Sequence, residues 1–111
     1  MDAKECSEIQ EKEIAKYLGG KTQPNSGGTK FGGGDILTKQ FLIEAKTPTT
    51  SRSSFSIRRA WILKAYEQAF EQGKSYSAIA FRFQPYGDDY FIINKKLFKQ
   101  LIIMLEELEE E

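Results

Sequence analysis

The run Phe41-Leu42-Ile43-Glu44-Ala45-Lys46 constrains this chain more than any other segment. It reads as a short strand, and along a strand successive side chains point to opposite faces. Phe41, Ile43 and Ala45 therefore share one face, while Leu42, Glu44 and Lys46 share the other. A carboxylate and an ammonium thus stand side by side on one face of an otherwise apolar strand. Burying such a pair is costly unless partners or a metal ion compensate it. Whatever packs around this strand has to supply that compensation.

The surrounding sequence punctuates itself. Residues 7–18 are rich in strong helix formers, with a cap at Ser7 and a stop at Gly19-Gly20. Residues 19–34 hold seven glycines and read as a loop or a ragged hairpin. Residues 36–38 form a strand joined to the 41–46 strand by a tight turn near Lys39-Gln40. Residues 47–54, with a proline among serines and threonines, read as a mobile loop. A long helix is expected from about residue 56 to 72, with Ile57, Trp61, Ala65 and Ala69 on one stripe and Ile62, Tyr66 and Phe70 beside it. Gly73 closes it. Residues 77–83 and 89–93 are two more strands around a Pro85 and Gly87 turn.

A last helix from about Lys95 carries Leu97, Leu101, Met104, Leu105 and Leu108 on one stripe, widened by Phe98, Ile102 and Ile103. So wide an apolar face points either to a second buried surface such as a dimer seam, or to a helix wedged deep in its own domain. The order of elements predicts one α/β domain over residues 1–111, a small mixed β-sheet flanked by helices. The 111 residues suffice for one core and not for two.

Composition removes whole classes of chemistry. There is no histidine and one cysteine, Cys6, so serine–histidine triads, histidine general bases, the usual zinc sites and disulfide staples are excluded. Cys6 has no partner to activate it and reads as an inert thiol. The longest unbroken aliphatic run, from Leu101 to Leu105, is far shorter than the roughly 20 residues a membrane span needs. With no targeting signal in view, a cytoplasmic protein is expected.

Sixteen basic and sixteen acidic side chains cancel, but not locally. Five of the acids are Glu106, Glu107, Glu109, Glu110 and Glu111, so residues 1–105 carry a net charge of +5. Within residues 20–66, eight positive side chains face only two acids, Asp35 and Glu44. The positive set is Lys21, Lys30, Lys39, Lys46, Arg52, Arg58, Arg59 and Lys64. A basic, glycine- and serine-rich region with two isolated carboxylates suits a phosphate-backbone binder with a metal site.

Asp35 opens the strand preceding Glu44, and an antiparallel pairing through the short turn brings the two together. Two converging carboxylates beside a lysine form a hard-cation site of the kind Mg²⁺ prefers, with water and phosphate oxygens completing the shell. A third acid follows from helix geometry. Ile14, Ala15 and Leu18 lie at i+3, i+4 and i+7 from Glu11, which places Glu11 on the inward stripe. It needs either a metal-bound site beside it or a lysine at the edge of the core.

Glu11 on the first helix, then Gly34-Asp35, then Glu44-Ala45-Lys46, together resemble the PD-(D/E)XK nuclease superfamily, with Gly34 in place of its proline. The run Glu11-Lys12-Glu13-Ile14, followed by Pro24-Asn25-Ser26-Gly27-Gly28, is most similar to archaeal-type Holliday junction resolvases and small phage-encoded relatives. The resemblance implies a restriction-endonuclease-like αβββαβ core with an extra C-terminal helix. It also implies a Mg²⁺-dependent endodeoxyribonuclease of DNA recombination and repair, with Mn²⁺ able to substitute, in the cytoplasm of a prokaryotic or phage-infected cell.

Asp35, Glu44 and the backbone carbonyl of Ala45 would then bind the metal, and Glu11 would complete its shell or hold a second ion. Lys46 would orient or deprotonate the attacking water. Ser26 would contact the phosphate, and Lys30, Arg52, Arg58 and Arg59 the DNA backbone. The implied substrate is branched DNA, cut by a homodimer. Flap, nicking or restriction-type specificity shares the same core, and a non-catalytic DNA-binding assembly protein is the reading from another class. Trp61, Phe55 and Tyr66 read as core residues and not as a base-stacking platform.

Overall fold

The computed structural model describes residues 1–23 and 35–110. Among these the chain forms α1 (Ala3–Leu18), β1 (Lys21–Gln23), β2 (Asp35–Leu37), β3 (Phe41–Lys46), α2 (Arg59–Glu71), β4 (Tyr76–Phe81), β5 (Tyr90–Ile92) and α3 (Lys95–Glu110). The strands make one mixed sheet in the order β1-β2-β3-β4-β5. Only β3 and β4 are parallel among the paired neighbours, because α2 carries the chain back over one face between them. The class is the expected one, an α/β fold with a small mixed sheet.

The 41–46 run is the central strand. β2 flanks it on one side and β4 on the other, and Leu42, Ile43, Glu44 and Ala45 are all buried. Its two faces meet different helices, as its alternation requires. Ile43 and Ala45 join Ile14 and Ala15 of α1 with Ile36, Ala78 and Ala80. Leu42 joins Ala65 and Ala69 of α2 with Ile79, covered at the rim by Trp61 and Ile62. Each fully buried aliphatic side chain contributes about 1.5–3 kcal/mol, so covering both faces of so short a sheet supplies the main stabilisation.

Several boundaries differ from the sequence reading. α1 starts at Ala3 with Asp2 as its cap, whose carboxylate accepts from the Glu5 amide at 2.8 Å. Ser7 lies buried inside the helix instead, because Cys6, Gln10 and Ile14 extend the inward stripe back past it. Gly19 ends α1 in the left-handed conformation at φ 69°. Part of the glycine-rich stretch is a strand: β1 pairs with β2. Gly20 makes this possible, since a Cβ there would lie 2.6 Å from the Leu37 carbonyl oxygen.

α2 begins three residues later than expected. Arg58 is extended, and Ile57 and Ile62, at the spacing of a hydrophobic staple, both pack on the α2-side core. Of the second stripe on α2, Tyr66 and Phe70 are exposed, Phe70 by 87 %. The sheet is too narrow for α2 to bury both stripes. Asp89 falls outside β5, and its carboxylate is engaged elsewhere.

That engagement is a polar cluster under α1. Arg82 follows Ala78 and Ala80 on the α1 side and is fully buried. Its guanidinium donates to Asp89 from Nε at 2.9 Å and again from Nη2, and to the Pro85 carbonyl at 2.9 Å. Nη2 also reaches Glu13 of α1 at 3.3 Å. Burial disfavours the charge, but hydrogen bonding and attraction from Asp89 and Glu13 outweigh it and raise the Arg82 pKa above its ordinary value. Gln10 completes the cluster, donating from Nε2 to Asp89 at 3.0 Å and to the Lys46 carbonyl at 2.9 Å. The far end of the central strand is thereby tied to α1 and to the β4–β5 turn.

Candidate active site

The antiparallel register of β2 and β3 sets Asp35 directly opposite Glu44. Side chains in such a cross-strand pair stand about 4.5–5.5 Å apart at Cβ and on the same face. That face is the α2 side, which Glu44 shares with Leu42. Lys46, two residues on, returns to it, and its Nζ lies 3.4 Å from Glu44 Oε1. Asp35, Glu44 and Lys46 are therefore gathered, as the alternation and the short turn led one to expect.

The electrostatics of this group are unbalanced. Glu44 Oε2 is buried and accepts no hydrogen bond, so the ion pair satisfies half of the carboxylate. Burial, and after it the charge of Glu44, raise the Asp35 pKa to about 6 against the opposing pull of Lys64 and Lys46. An orphaned carboxylate oxygen beside a half-buried acid is a donor set that a hard divalent cation fits. Mg²⁺ is commonly held by one or two carboxylates plus water and phosphate oxygens. Among the described residues no group of three or more acids or cysteines is placed to hold a metal jointly. The protein's share of such a site is then the Asp35–Glu44 pair, with the Ala45 backbone between Glu44 and Lys46.

This imbalance has a consequence for stability. The unfolded chain releases the Asp35 proton near the ordinary value of 3.8, whereas the folded protein holds it to about 6. The stabilisation from that proton is complete below the ordinary value and is lost as pH rises through the folded one. In EDTA the thermal midpoint should therefore fall across this window more steeply for the parent than for Asp35→Asn. Above pH 6, Mg²⁺ should raise the midpoint of the parent and leave that of the variant unchanged.

The remaining expected residues divide by location. Glu11 is buried on α1, the helix packed against the opposite face through Ile14 and Ala15, so it does not form one three-acid group with Asp35 and Glu44. Ser26 and Lys30 lie outside the described residues. Arg52, Arg58 and Arg59 are exposed. Arg52 is fixed by its backbone amide, which donates to the Phe83 carbonyl at 2.8 Å. Arg58 caps α2 and leans on the Trp61 ring at 5.9 Å. Arg52 and Arg58 both line an open cleft of about 350 Å³ with Thr47, Phe55 and Trp61. Lys46 lies 4.5 Å above the same Trp61 ring, so Trp61 joins the cleft wall to the Glu44–Lys46 pair.

Trp61 and Phe55 are half-buried in an aromatic cluster with Phe81, as core residues would be. Tyr66 is not core: it is exposed, and its hydroxyl accepts from Asn94 at 2.6 Å. Cys6 is fully buried. Two residues that sequence reasoning passed over, Gln10 and Arg82, support the site from behind. Both carried a signal, Gln10 at i−4 from Ile14 and Arg82 in period two with Ala78 and Ala80.

No helix among the described residues is long and apolar enough to cross a membrane. No protein-family model, curated protein or solved structure matches the chain.

Proposed function

We propose that the protein is a metal-dependent endodeoxyribonuclease of the PD-(D/E)XK kind, acting on branched DNA as a Holliday junction resolvase in the cytoplasm of a prokaryotic or phage-infected cell. The observation that carries the reading is the cross-strand Asp35–Glu44 pair with an unpartnered buried carboxylate oxygen and Lys46 at its side. The order helix, three strands, helix, strand, with the site on the second and third strands, is the order such a nuclease core would have.

In this reading Asp35 and Glu44 would hold the cation, while Glu44 Oε1 keeps Lys46 in place. Mg²⁺, or Mn²⁺ in its stead, would when bound lower the pKa of a water and offset charge on the phosphate. Lys46 Nζ orients that water toward phosphorus and stabilises the negative charge that builds there. The new bond would form between water oxygen and phosphorus, the proton of that water passing to solvent, as the bond to the leaving sugar oxygen breaks and that oxygen takes a proton from a second water. Glu11 acts on the opposite side of β3, as a support of the site or a ligand of a second ion. A four-way junction presents two symmetry-related strands, which calls for a homodimer.

The cleft walled by Trp61 supplies the substrate track. Arg52, Arg58 and Arg59 neutralise phosphates and give register without reading bases. Arg52→Ala and Arg58→Ala should each lower the slope of log affinity against log salt by about 1, with little change in sequence preference. Unchanged slopes in titrations across a salt series would remove these residues from the DNA track.

The direct test incubates the protein with a four-way junction, a flap and linear duplex, in Mg²⁺ or EDTA. Paired symmetric nicks in the junction, lost in EDTA, are expected. Cleavage of the flap or duplex in preference would keep the chemistry and replace the substrate, and binding of DNA without cleavage in Mg²⁺ or Mn²⁺ would leave a DNA-binding assembly protein.

A further inference from the structure

Among the described residues, α3 leaves the most apolar surface uncovered. Of its sixteen residues only Leu97 is buried. Phe98, Leu105 and Leu108 are exposed by 57, 62 and 65 %, and Leu101, Ile102 and Met104 are exposed as well. Leu97, Leu101, Met104 and Leu108 follow a 4-3-4 spacing, the seam of a helix that packs on another helix. Phe98, Ile102 and Leu105 run alongside. A contiguous apolar face of this extent marks an interaction surface.

Charge says what covers it. Lys95, Lys96 and Lys99 stand at the amino end of α3, and Glu106, Glu107, Glu109 and Glu110 at its carboxyl end. Both sets oppose the helix's own dipole, at a cost of about 0.3–1 kcal/mol for each charge in the end turns. A helix laid antiparallel would reverse that arrangement, offering acids to the lysines and lysines to the acids. A second copy of α3 does so in one register. With a two-fold axis near Ile102, Lys96 falls opposite Glu107 of the second copy and Lys95 opposite Glu109. Lys96 and Glu107 lie on one flank of the seam, Lys95 and Glu109 on the other. A parallel pairing would set lysine against lysine and glutamate against glutamate.

The same register extends the contact beyond the helix. At about 1.5 Å per residue α3 is roughly 24 Å long, a short seam for a stable dimer by itself. The far end of the second helix, with its Leu108, reaches the root of the first. There a groove of about 390 Å³ lies between α2 and α3, lined by Tyr66, Phe70, Lys96 and Leu97. Exposed Phe70 and Tyr66 continue the apolar face into that groove.

We infer that two copies of the chain associate through an antiparallel, two-fold pairing of α3 with α3, each helix ending over the α2–α3 groove of the other. The assignment goes beyond the nuclease reading in naming the surface, and it stands on α3 and the groove alone. Sedimentation equilibrium at micromolar concentration should give twice the 12.7 kDa chain mass. Leu101→Glu, on an exposed position of the seam, should give a monomer with an unchanged near-ultraviolet spectrum.

Lys96→Glu should weaken the dimer by about tenfold, because the pair occurs twice across the axis, and Lys96→Glu with Glu107→Lys should restore it. A parent of monomer mass, a dimer indifferent to Leu101→Glu, or a double swap that fails to restore association would each overturn the pairing. A monomer that still cuts DNA overturns the pairing alone, and a dimer that cuts nothing overturns the nuclease reading alone.

Discussion

Glu44→Gln should lower the proposed Mg²⁺-dependent DNA cleavage by about 10²–10³-fold while leaving the protein folded. The side chain keeps its size, so Leu42 and Ile79 beside it stay packed. What disappears is the negative charge shared between Lys46 and the unpartnered buried oxygen. The amide is a neutral and weaker ligand for a hard cation. Without the carboxylate's charge, Asp35 titrates closer to its ordinary value, so loss of cleavage cannot be blamed on a protonated Asp35.

Lys46→Ala should match it in size of effect. Its ammonium is held in place by Glu44 and by the Trp61 ring, which fixes its position but leaves it a quarter exposed toward the cleft. Lys46→Arg should restore little, because a planar guanidinium replaces a compact point charge where geometry is tight. Single-turnover cleavage, read alongside thermal melting of each variant, separates chemistry from folding. Cleavage by Lys46→Ala or Glu44→Gln at the parent's rate would remove the pair from the catalytic site.

The largest effect on stability is expected at the opposite face. Asp89→Ala should destabilise the protein by about 3–5 kcal/mol, because it leaves a fully buried guanidinium with only Glu13, half-exposed, as a charged partner. It also strips Gln10 of one acceptor, and Gln10 is the residue that holds the Lys46 carbonyl. Arg82→Met should cost a comparable amount. Arg82→Met combined with Asp89→Ala should cost much less than the sum, since both desolvated charges are then gone together. Equilibrium urea denaturation of the four proteins completes the cycle. Additive losses would mean that the two residues are not coupled.

Much of the site was legible because strand geometry is strict. Period-two alternation fixed which side chains of residues 41–46 share a face, and the short turn at Lys39-Gln40 fixed the register that sets Asp35 opposite Glu44. Helix ends were less legible. Asp2 and Ser7 are equally good caps by residue type, and only the inward stripe through Cys6 and Gln10 chooses between them. Glu11 was read as inward and is buried, but the side of the sheet that α1 covers cannot be taken from its own sequence. Gln10 and Arg82 went unread because a polar residue on an apolar stripe becomes meaningful once its partners are known, and those partners lie far away in sequence.

By itself the sequence determined the α/β class, the central strand, the convergence of Asp35, Glu44 and Lys46, and the separation of a basic body from an acidic end. These are local properties: periodicity, turn length and residue charge act over a few positions. Only the tertiary structure decided between the two fates of α3, because a wide apolar face looks the same whether it is buried in its own domain or left open. The five-stranded sheet has two faces, and α1 and α2 already cover them. Leu97 alone finds a place in that core, and the rest of the α3 face is left exposed.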